Sequence, residues 1–300
     1  MAPGAARQPW AEVPRQEGRR IVVTGASGGL GAETARVLAS RGAHVVLAVR
    51  NPDKGDRVAA AIRESGVDGD VEVRVLDVAD LSSVRAFAAD VGPLDVLVNN
   101  AGVLAMPYGR SVDGVELHLA TNHLGHFALT NLLLPQLLDR VVVVGSLAHR
   151  NGDLHVDDLL WQRHEYKPYP AYAASKLANM LFLAELQRRF TAVGSTLRAT
   201  GAHPGSTATE ITSNTGSRLK TFVGGFGHRL VGMKVERGAL PILFAATMDV
   251  PGNSYFGPDR LREMTGWPTG VGRSRRAIDP DLAKALWKES ERLSGVGFPL

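Results

Sequence analysis

Short apolar runs rich in valine recur along the chain, at 21–24, 45–49, 71–76, 95–99 and 141–145, with a further run near 196–202. Between them lie longer stretches whose apolar positions follow a helical period. Continuous apolar strands suit a sheet covered on both faces, and strands alternating with helices indicate βαβ crossovers. The pattern predicts an α/β fold, a doubly wound parallel sheet in a single domain. Helices are expected at 30–41, stopped by Gly42, and at 80–91, opened by Asp80 and stopped before Gly92-Pro93. Further ones are expected at 112–134, 171–191 and 279–293, the last introduced by Asp279-Pro280 and stopped by Gly295.

Two stretches break the rhythm. Residues 147–171 are rich in His, Asp, Tyr and Pro, and 206–234 in Ser, Thr and Gly. Connections of this length are usually functional lids or disordered. Both leave the same sheet edge, so lids are expected, with the substrate lid near 206–234. There Phe222, Phe226, Leu230 and Met233 suit either a hydrophobic pocket or core. Residues 1–18 carry Pro, Gly and both charge signs without an apolar segment, which predicts a flexible extension rather than a signal peptide. Residues 19–300 then form the domain.

Charge adds little: 34 Lys and Arg are offset by 30 Asp and Glu. The tightest basic cluster, Arg273, Arg275 and Arg276, is short and lacks interleaved aromatics, so no nucleic-acid partner is expected. No run reaches 18 apolar residues, so no membrane anchor is expected. The chain has no cysteine, which excludes disulfides and thiolate chemistry and suits a soluble, cytoplasmic protein. His118, His123 and His126 lack a carboxylate or cysteine arrangement that would complete a coordination set, so no metal is expected and packing or capping roles are.

The first strand runs into Thr24-Gly25-Ala26-Ser27-Gly28-Gly29-Leu30-Gly31 and then a helix. Glycines there let backbone approach a pyrophosphate, and the helix N-terminus offers unpaired N–H groups. Taken alone the turn equally suits close helix–strand packing. The second strand ends in Arg50-Asn51, without the acid that NAD-preferring Rossmann-type sites place on the ribose hydroxyl. A guanidinium there suits a 2′-phosphate, so NADP(H) is expected over NAD(H), the alternative being a surface arginine. Asp77 and Val78 follow the third strand, where the carboxylate is placed to accept from an adenine amino group. Asn99-Asn100-Ala101-Gly102 follows the fourth, where small residues admit a ribose. Strand carboxyl ends are where ligands bind in such sheets.

Tyr172 and Lys176 are four apart and share one helical face. The spacing is common on helix surfaces, but the chemistry is specific: an ammonium beside a phenol favours the phenolate and makes it a usable acid–base group. Together, Thr24-Gly25-x-x-x-Gly29-x-Gly31, Asn99-Asn100-Ala101-Gly102, Asn122, Ser146, Tyr172-x-x-x-Lys176 and Pro204-Gly205 closely resemble the short-chain dehydrogenase/reductase family, over about residues 20–257. Thr121-Asn122-His123-Leu124-Gly125-His126-Phe127, Ser146-Leu147-Ala148-His149 and Ser175-Lys176-Leu177-Ala178-Asn179 look most like its retinol dehydrogenase-like and protochlorophyllide reductase-like branch.

The resemblance implies hydride transfer between nicotinamide and a small-molecule carbonyl or alcohol, a ketoreductase-type reaction on a substrate expected to be hydrophobic. It assigns Tyr172 as the acid–base group, Lys176 as the residue that lowers the tyrosine pKa and binds the ribose, Ser146 as the residue that orients the substrate oxygen, and Asn122 as holding a helix kink and a water in the proton relay. Tyr172 and Lys176 then also border the cofactor, as do Pro204, Gly205, Thr207 and Thr209 at the carboxamide. Homodimers or homotetramers built on helices 112–134 and 171–191 are implied as well. The chain departs from the family at Gly28, where NADP-using members often carry a basic residue, and at Gly145, which replaces a serine; the membrane anchor of many retinol dehydrogenases is not expected here, and the active-site cysteine of protochlorophyllide reductases has no counterpart. The reaction type is therefore carried over, and the substrate is not. Two other readings share these residues: a catalytically silent NADP-binding sensor or scaffold, and nucleotide-sugar epimerisation or dehydration.

Overall fold

A computed structural model describes residues 13–206 and 233–300. Six strands with parallel neighbours, β1 (Arg20–Thr24), β2 (His44–Val49), β3 (Asp70–Val75), β4 (Leu94–Asn99), β5 (Leu137–Val144) and β6 (Arg198–Ala202), are joined by β7 (Tyr255–Arg260) and β8 (Thr265–Gly270) in the order β3-β2-β1-β4-β5-β6-β7-β8. All neighbours are parallel except β7 and β8. The strand order reverses between β1 and β4, which opens a crevice beyond their carboxyl ends.

Side-chain alternation explains the layers. Val22, Val46, Leu97, Val141 and Val143 face one core, and Ile21, Val23, Val45, Leu47, Val96, Val98 and Val142 the other, all buried. The second face is covered by α1 (Gly29–Ser40), α2 (Pro52–Glu64) and, near the end of the chain, a helix at Val235–Thr247. The first is covered by α3 (Leu81–Asp90), α4 (Gly125–Leu133), α5 (Pro168–Ala192) and a helix at Pro280–Ser294. These last helices of each layer are α6 (Val235–Thr247) and α7 (Pro280–Ser294). The caps read from the sequence form: Asp80 Oδ1 accepts from Ser82 and Ser83 N–H, Asp279 Oδ1 from Asp281 and Leu282 N–H, and Gly295 turns left-handed at φ 63°.

Three expectations change. The sheet is not wholly parallel, because β8 returns antiparallel along the edge beside β7. The helix expected at 112–134 does not begin at 112. Asp113-Gly114 makes a turn closed by Ser111 N–H to Val115 O at 2.7 Å, and π-helical Leu119–Leu124 leads into α4. Residues 13–18, expected to be part of a loose extension, are packed: Val13 and Gln16 are buried, and Gln16 N–H donates to Arg41 O at 2.7 Å. α7 packs against both α4 and α5. Trp287 lies 4.8 Å from Phe127 of α4 and 5.8 Å from Phe182 of α5, with the Arg189 guanidinium 4.1 Å over its ring. Residues 207–232, with Thr207, Thr209, Phe222, Phe226, Leu230 and most of the expected lid, lie outside the described residues, as does 1–12. Among the described residues no helix is long and apolar enough to cross a membrane.

Candidate active site

A cavity of about 520 Å³ opens beyond the carboxyl ends of β1 to β5. Its floor is built on Thr24, the last residue of β1. The fully buried Thr24 hydroxyl accepts N–H from Asn100 and Ala101, each at 2.9 Å, and meets His126 Nε2 at 2.8 Å. His126 Nδ1 lies 3.2 Å from the Asn122 carbonyl, which only accepts, so the ring proton sits on Nδ1 and Nε2 accepts from Thr24. Burial pushes His126 down to about 4, and the Lys176 charge acts in the same direction, so the ring is neutral. One hydroxyl thus ties the end of β1 to the Asn100-Ala101 backbone and to α4.

Gly25, Ser27, Gly28, Gly29, Leu30 and Gly31 all line the cavity. Gly31 has no room for a side chain: a Cβ would lie 2.5 Å from Gly25 O and 2.6 Å from Asn100 Nδ2. The turn is therefore as tight as the sequence implies. No side chain caps α1 at Gly28, and its first turn holds no acid, leaving its N–H groups and positive dipole end directed at the cavity.

At the end of β2, Arg50 lines the cavity together with Lys54, which sequence reasoning missed because a lysine in the first turn of a helix reads as surface. Asn51 does not line it. Its side chain caps α2 by accepting Lys54 N–H at 3.0 Å. Asp77 and Val78 form the wall beyond β3, with Asp77 Oδ1 accepting Ala79 N–H at 2.9 Å. Asn100, Ala101 and Gly102 line the cavity, whereas Asn99 turns into the core and donates to Thr130 Oγ1 at 2.9 Å.

Tyr172 and Lys176 reach the cavity from the first turns of α5, Lys176 Nζ lying 6.0 Å from the Tyr172 ring centroid. Lys176 Nζ donates to Val144 O at 3.1 Å and Asn179 Nδ2 to the same carbonyl at 3.3 Å, which pins α5 to the end of β5. The Asn122 side chain staples a loop to a helix: it accepts Val103 N–H at 2.8 Å and donates to Val103 O at 3.1 Å and Ser175 Oγ at 2.8 Å. Ser175 Oγ in turn donates to Tyr172 O at 2.7 Å. Asn122 sits in the π-helical turn and shares no wall with the cavity.

Ser146 is buried beside the cavity rather than lining it, its Oγ accepting Ala148 N–H at 3.2 Å; the adjacent Gly145 forms the wall. A Cβ at Gly145 would lie 2.5 Å from Tyr255 Oη, so the glycine that replaces the family's serine matches a tyrosine from β7. Pro204 lines the cavity. Gly205 lies behind it, donating its N–H to His203 Nδ1 at 3.2 Å, and burial pushes His203 down to about 4. Sequence reasoning also missed Thr121, Leu104 and Met106 on the wall. Thr121 precedes a residue already singled out, but the loop after Gly102 carries no motif. Among the described residues no group of three or more His, Asp or Glu is placed to hold a metal. His118 pairs with Glu116 Oε1 at 2.8 Å, and His123 with Ser290 Oγ at 2.9 Å.

A parallel sheet with a glycine turn, and a Tyr–Lys helix meeting it in one cavity, define a nicotinamide-dependent oxidoreductase architecture. The chain matches the short chain dehydrogenase family over residues 19–220 and belongs to it, in the retinol dehydrogenase-like branch. It is an oxidoreductase of this family, whose members use NAD(P)(H) on small-molecule substrates.

Particular relatives sharpen the placement. The chain is 39% identical to retinol dehydrogenase 13 of Homo sapiens over 298 residues, covering 94% of this chain and 86% of that protein. It is 41% identical to polyprenol dehydrogenase of Mus musculus, covering 95% and 86%. A crystal structure of an uncharacterized protein from Mycobacterium Paratuberculosis is 49% identical, with TM-score 0.83, over 97% of this chain and 98% of that one.

Proposed function

We propose that the protein transfers hydride between NADP(H) and a hydrophobic carbonyl or alcohol, with Tyr172 moving the proton. The observation that carries this reading is the meeting of Tyr172 and Lys176 with the glycine turn and the Arg50–Lys54 cations in one cavity. The residues fit a dinucleotide. Glycines at 25, 28, 29 and 31 let the backbone of the turn approach a pyrophosphate, the uncapped start of α1 supplies donors, and Gly102 leaves space beside Lys176 Nζ. Arg50 and Lys54 line the cavity at the β2 end and Asp53 between them does not, which favours a 2′-phosphate over a free hydroxyl.

When bound, the nicotinamide supplies the hydride to a carbonyl carbon or accepts it from an alcohol. In reduction the Tyr172 hydroxyl gives its proton to the carbonyl oxygen, and in oxidation the phenolate takes it back. Lys176, held by Val144 O, stabilises the phenolate electrostatically and binds the ribose hydroxyls when the cofactor is present. Ser146 follows the wall residue Gly145; its Oγ accepts from Ala148, and a turn of the side chain toward the cavity would let its O–H donate to the substrate oxygen and orient it. Asn122 keeps the Val103 loop and the start of α5 in register around Tyr172. Leu104 and Met106 on the wall support an apolar substrate, in keeping with relatives named for retinol and polyprenol.

Absorbance of NADPH and NADH followed against aliphatic and aromatic aldehydes, ketones and alcohols tests the reading. Turnover of apolar carbonyls with NADPH is expected, and Arg50→Ala should weaken NADPH at least tenfold more than NADH. Equal weakening of both removes the argument for the 2′-phosphate; tight NADPH binding without turnover of any carbonyl favours a sensor.

A further inference from the structure

The loop that carries Leu104 and Met106 has no regular structure and holds Ala105 at φ 49°, a left-handed conformation that L side chains rarely adopt. Such a segment keeps one shape only if its surroundings fix it. Both polar groups of the Met106 peptide are taken. Its N–H donates to His118 Nε2 at 3.0 Å, and its carbonyl accepts from Tyr166 Oη at 2.8 Å. Accepting at Nε2 places the His118 proton on Nδ1, which donates to Glu116 Oε1 at 2.8 Å. Glu116 is itself held by His118 and Leu119 N–H at 2.9 and 2.8 Å. His118 is fully buried and Glu116 nearly so. A carboxylate and an imidazole removed from water in this way are costly unless every partner is in place.

The same residues touch the reaction centre. The His118 ring stands edge-on to the Tyr172 ring at 6.2 Å, and Leu104 packs against Tyr172, Ala148 and Ala173. Tyr166 is wedged between Tyr108 at 5.1 Å and Trp161 at 5.6 Å, so the clamp draws one jaw from the turn before the π-helical segment and the other from the stretch before α5. We propose that Glu116, His118 and Tyr166 are positioning residues that clamp the Met106 peptide and thereby set the width of the substrate end of the cavity. Bulky substrates depend on that wall and small ones do not. This selectivity rests on the reading that a carbonyl is reduced beside Tyr172.

Tyr166→Phe removes one hydroxyl from a half-buried ring; that hydroxyl also lies 3.3 Å from Glu116 Oε1 and 3.1 Å from His118 Nδ1, but the 2.8 Å Glu116–His118 contact does not depend on it, so this is the variant of choice; Met106→Ala removes the wall itself. Two measurements are made on the full chain. Amide hydrogen exchange across 103–108 is expected to quicken about tenfold in Tyr166→Phe, the effect of losing one neutral hydrogen bond. With NADPH, KM for n-decanal is expected to rise about tenfold in both variants, while in Tyr166→Phe kcat/KM for propanal changes less than twofold. Unchanged exchange overturns the clamp whatever the activity. Equal losses on both aldehydes show general structural damage and overturn the selectivity. A wild-type protein that reduces neither aldehyde fails the functional reading and the selectivity with it, and exchange still decides the clamp.

Discussion

Replacing Thr24 by valine keeps shape and volume but deletes the one hydroxyl that joins β1, β4 and α4. In the folded protein, this strands one backbone donor, Ala101 N–H, and one buried acceptor, His126 Nε2, while Asn100 N–H is left with Val98 O at 3.0 Å. The Ala101 amide lies at the half-buried cavity wall, where water can partly replace the lost partner, so it costs about 1 kcal/mol. The histidine nitrogen is sealed from solvent and costs about 1–2 kcal/mol. The sum is about 2–3 kcal/mol. For a chain of this size, with a urea slope near 3 kcal/mol/M, that is a midpoint about 1 M lower, readable by tryptophan fluorescence. Asn100 and Ala101 also form the cofactor wall, so NADPH affinity should fall about tenfold with stability. Thr24→Ser restores the hydroxyl and most of both quantities. A valine variant within about 1 kcal/mol of wild type, with unaltered NADPH affinity, refutes the role assigned to this hydroxyl.

Gly145→Ser should destabilise by about 1–3 kcal/mol through overpacking against Tyr255 Oη and Met180 Cε, at 2.5 and 2.8 Å from the added Cβ. Tyr255→Phe should recover part of that loss, since the Tyr255 hydroxyl has no hydrogen-bond partner among the described residues; strictly additive effects in the double variant argue against the contact. Stability should also depend on pH. Burial holds His123 at about 3 and His126 and His203 at about 4, against about 6.5 in the unfolded chain. Between pH 6.5 and 4 the unfolded chain therefore binds protons that the fold refuses, and stability falls as pH falls, by up to roughly 4 kcal/mol per pH unit near pH 5 for the three together. A flat urea midpoint between pH 7 and 5 contradicts neutral burial.

Much of this was legible in the chain. Strands β1, β2, β4 and β5 announce themselves as valine-rich apolar runs because both sheet faces are covered, whereas β3 (DVEVRV) alternates at the sheet edge and β6 (RATGA) carries no valine. The Tyr172–Lys176 spacing gained meaning only from the glycine turn and strand-end motifs placed around it. β7 and β8 were missed because Tyr255–Arg260 and Thr265–Gly270 carry proline and glycine, which argue against strands, and pairing at the sheet edge overrides that tendency. α6 contains Pro241 and was hidden for the same reason. Asn51 and Asn99 have the composition of cofactor contacts, yet one caps α2 and the other enters the core, because neighbouring residues on a strand end point in opposite directions. The Met106 clamp joins partners 12 and 60 residues apart, a relation that no local pattern records.

The central claim is that Tyr172 supplies the proton while NADPH delivers hydride. Single-turnover oxidation of NADPH by an accepted carbonyl, compared in wild type and Tyr172→Phe, tests it most directly. The account predicts a rate at least about 100-fold lower in the variant, with NADPH affinity within about threefold of wild type. A near wild-type rate in Tyr172→Phe contradicts it.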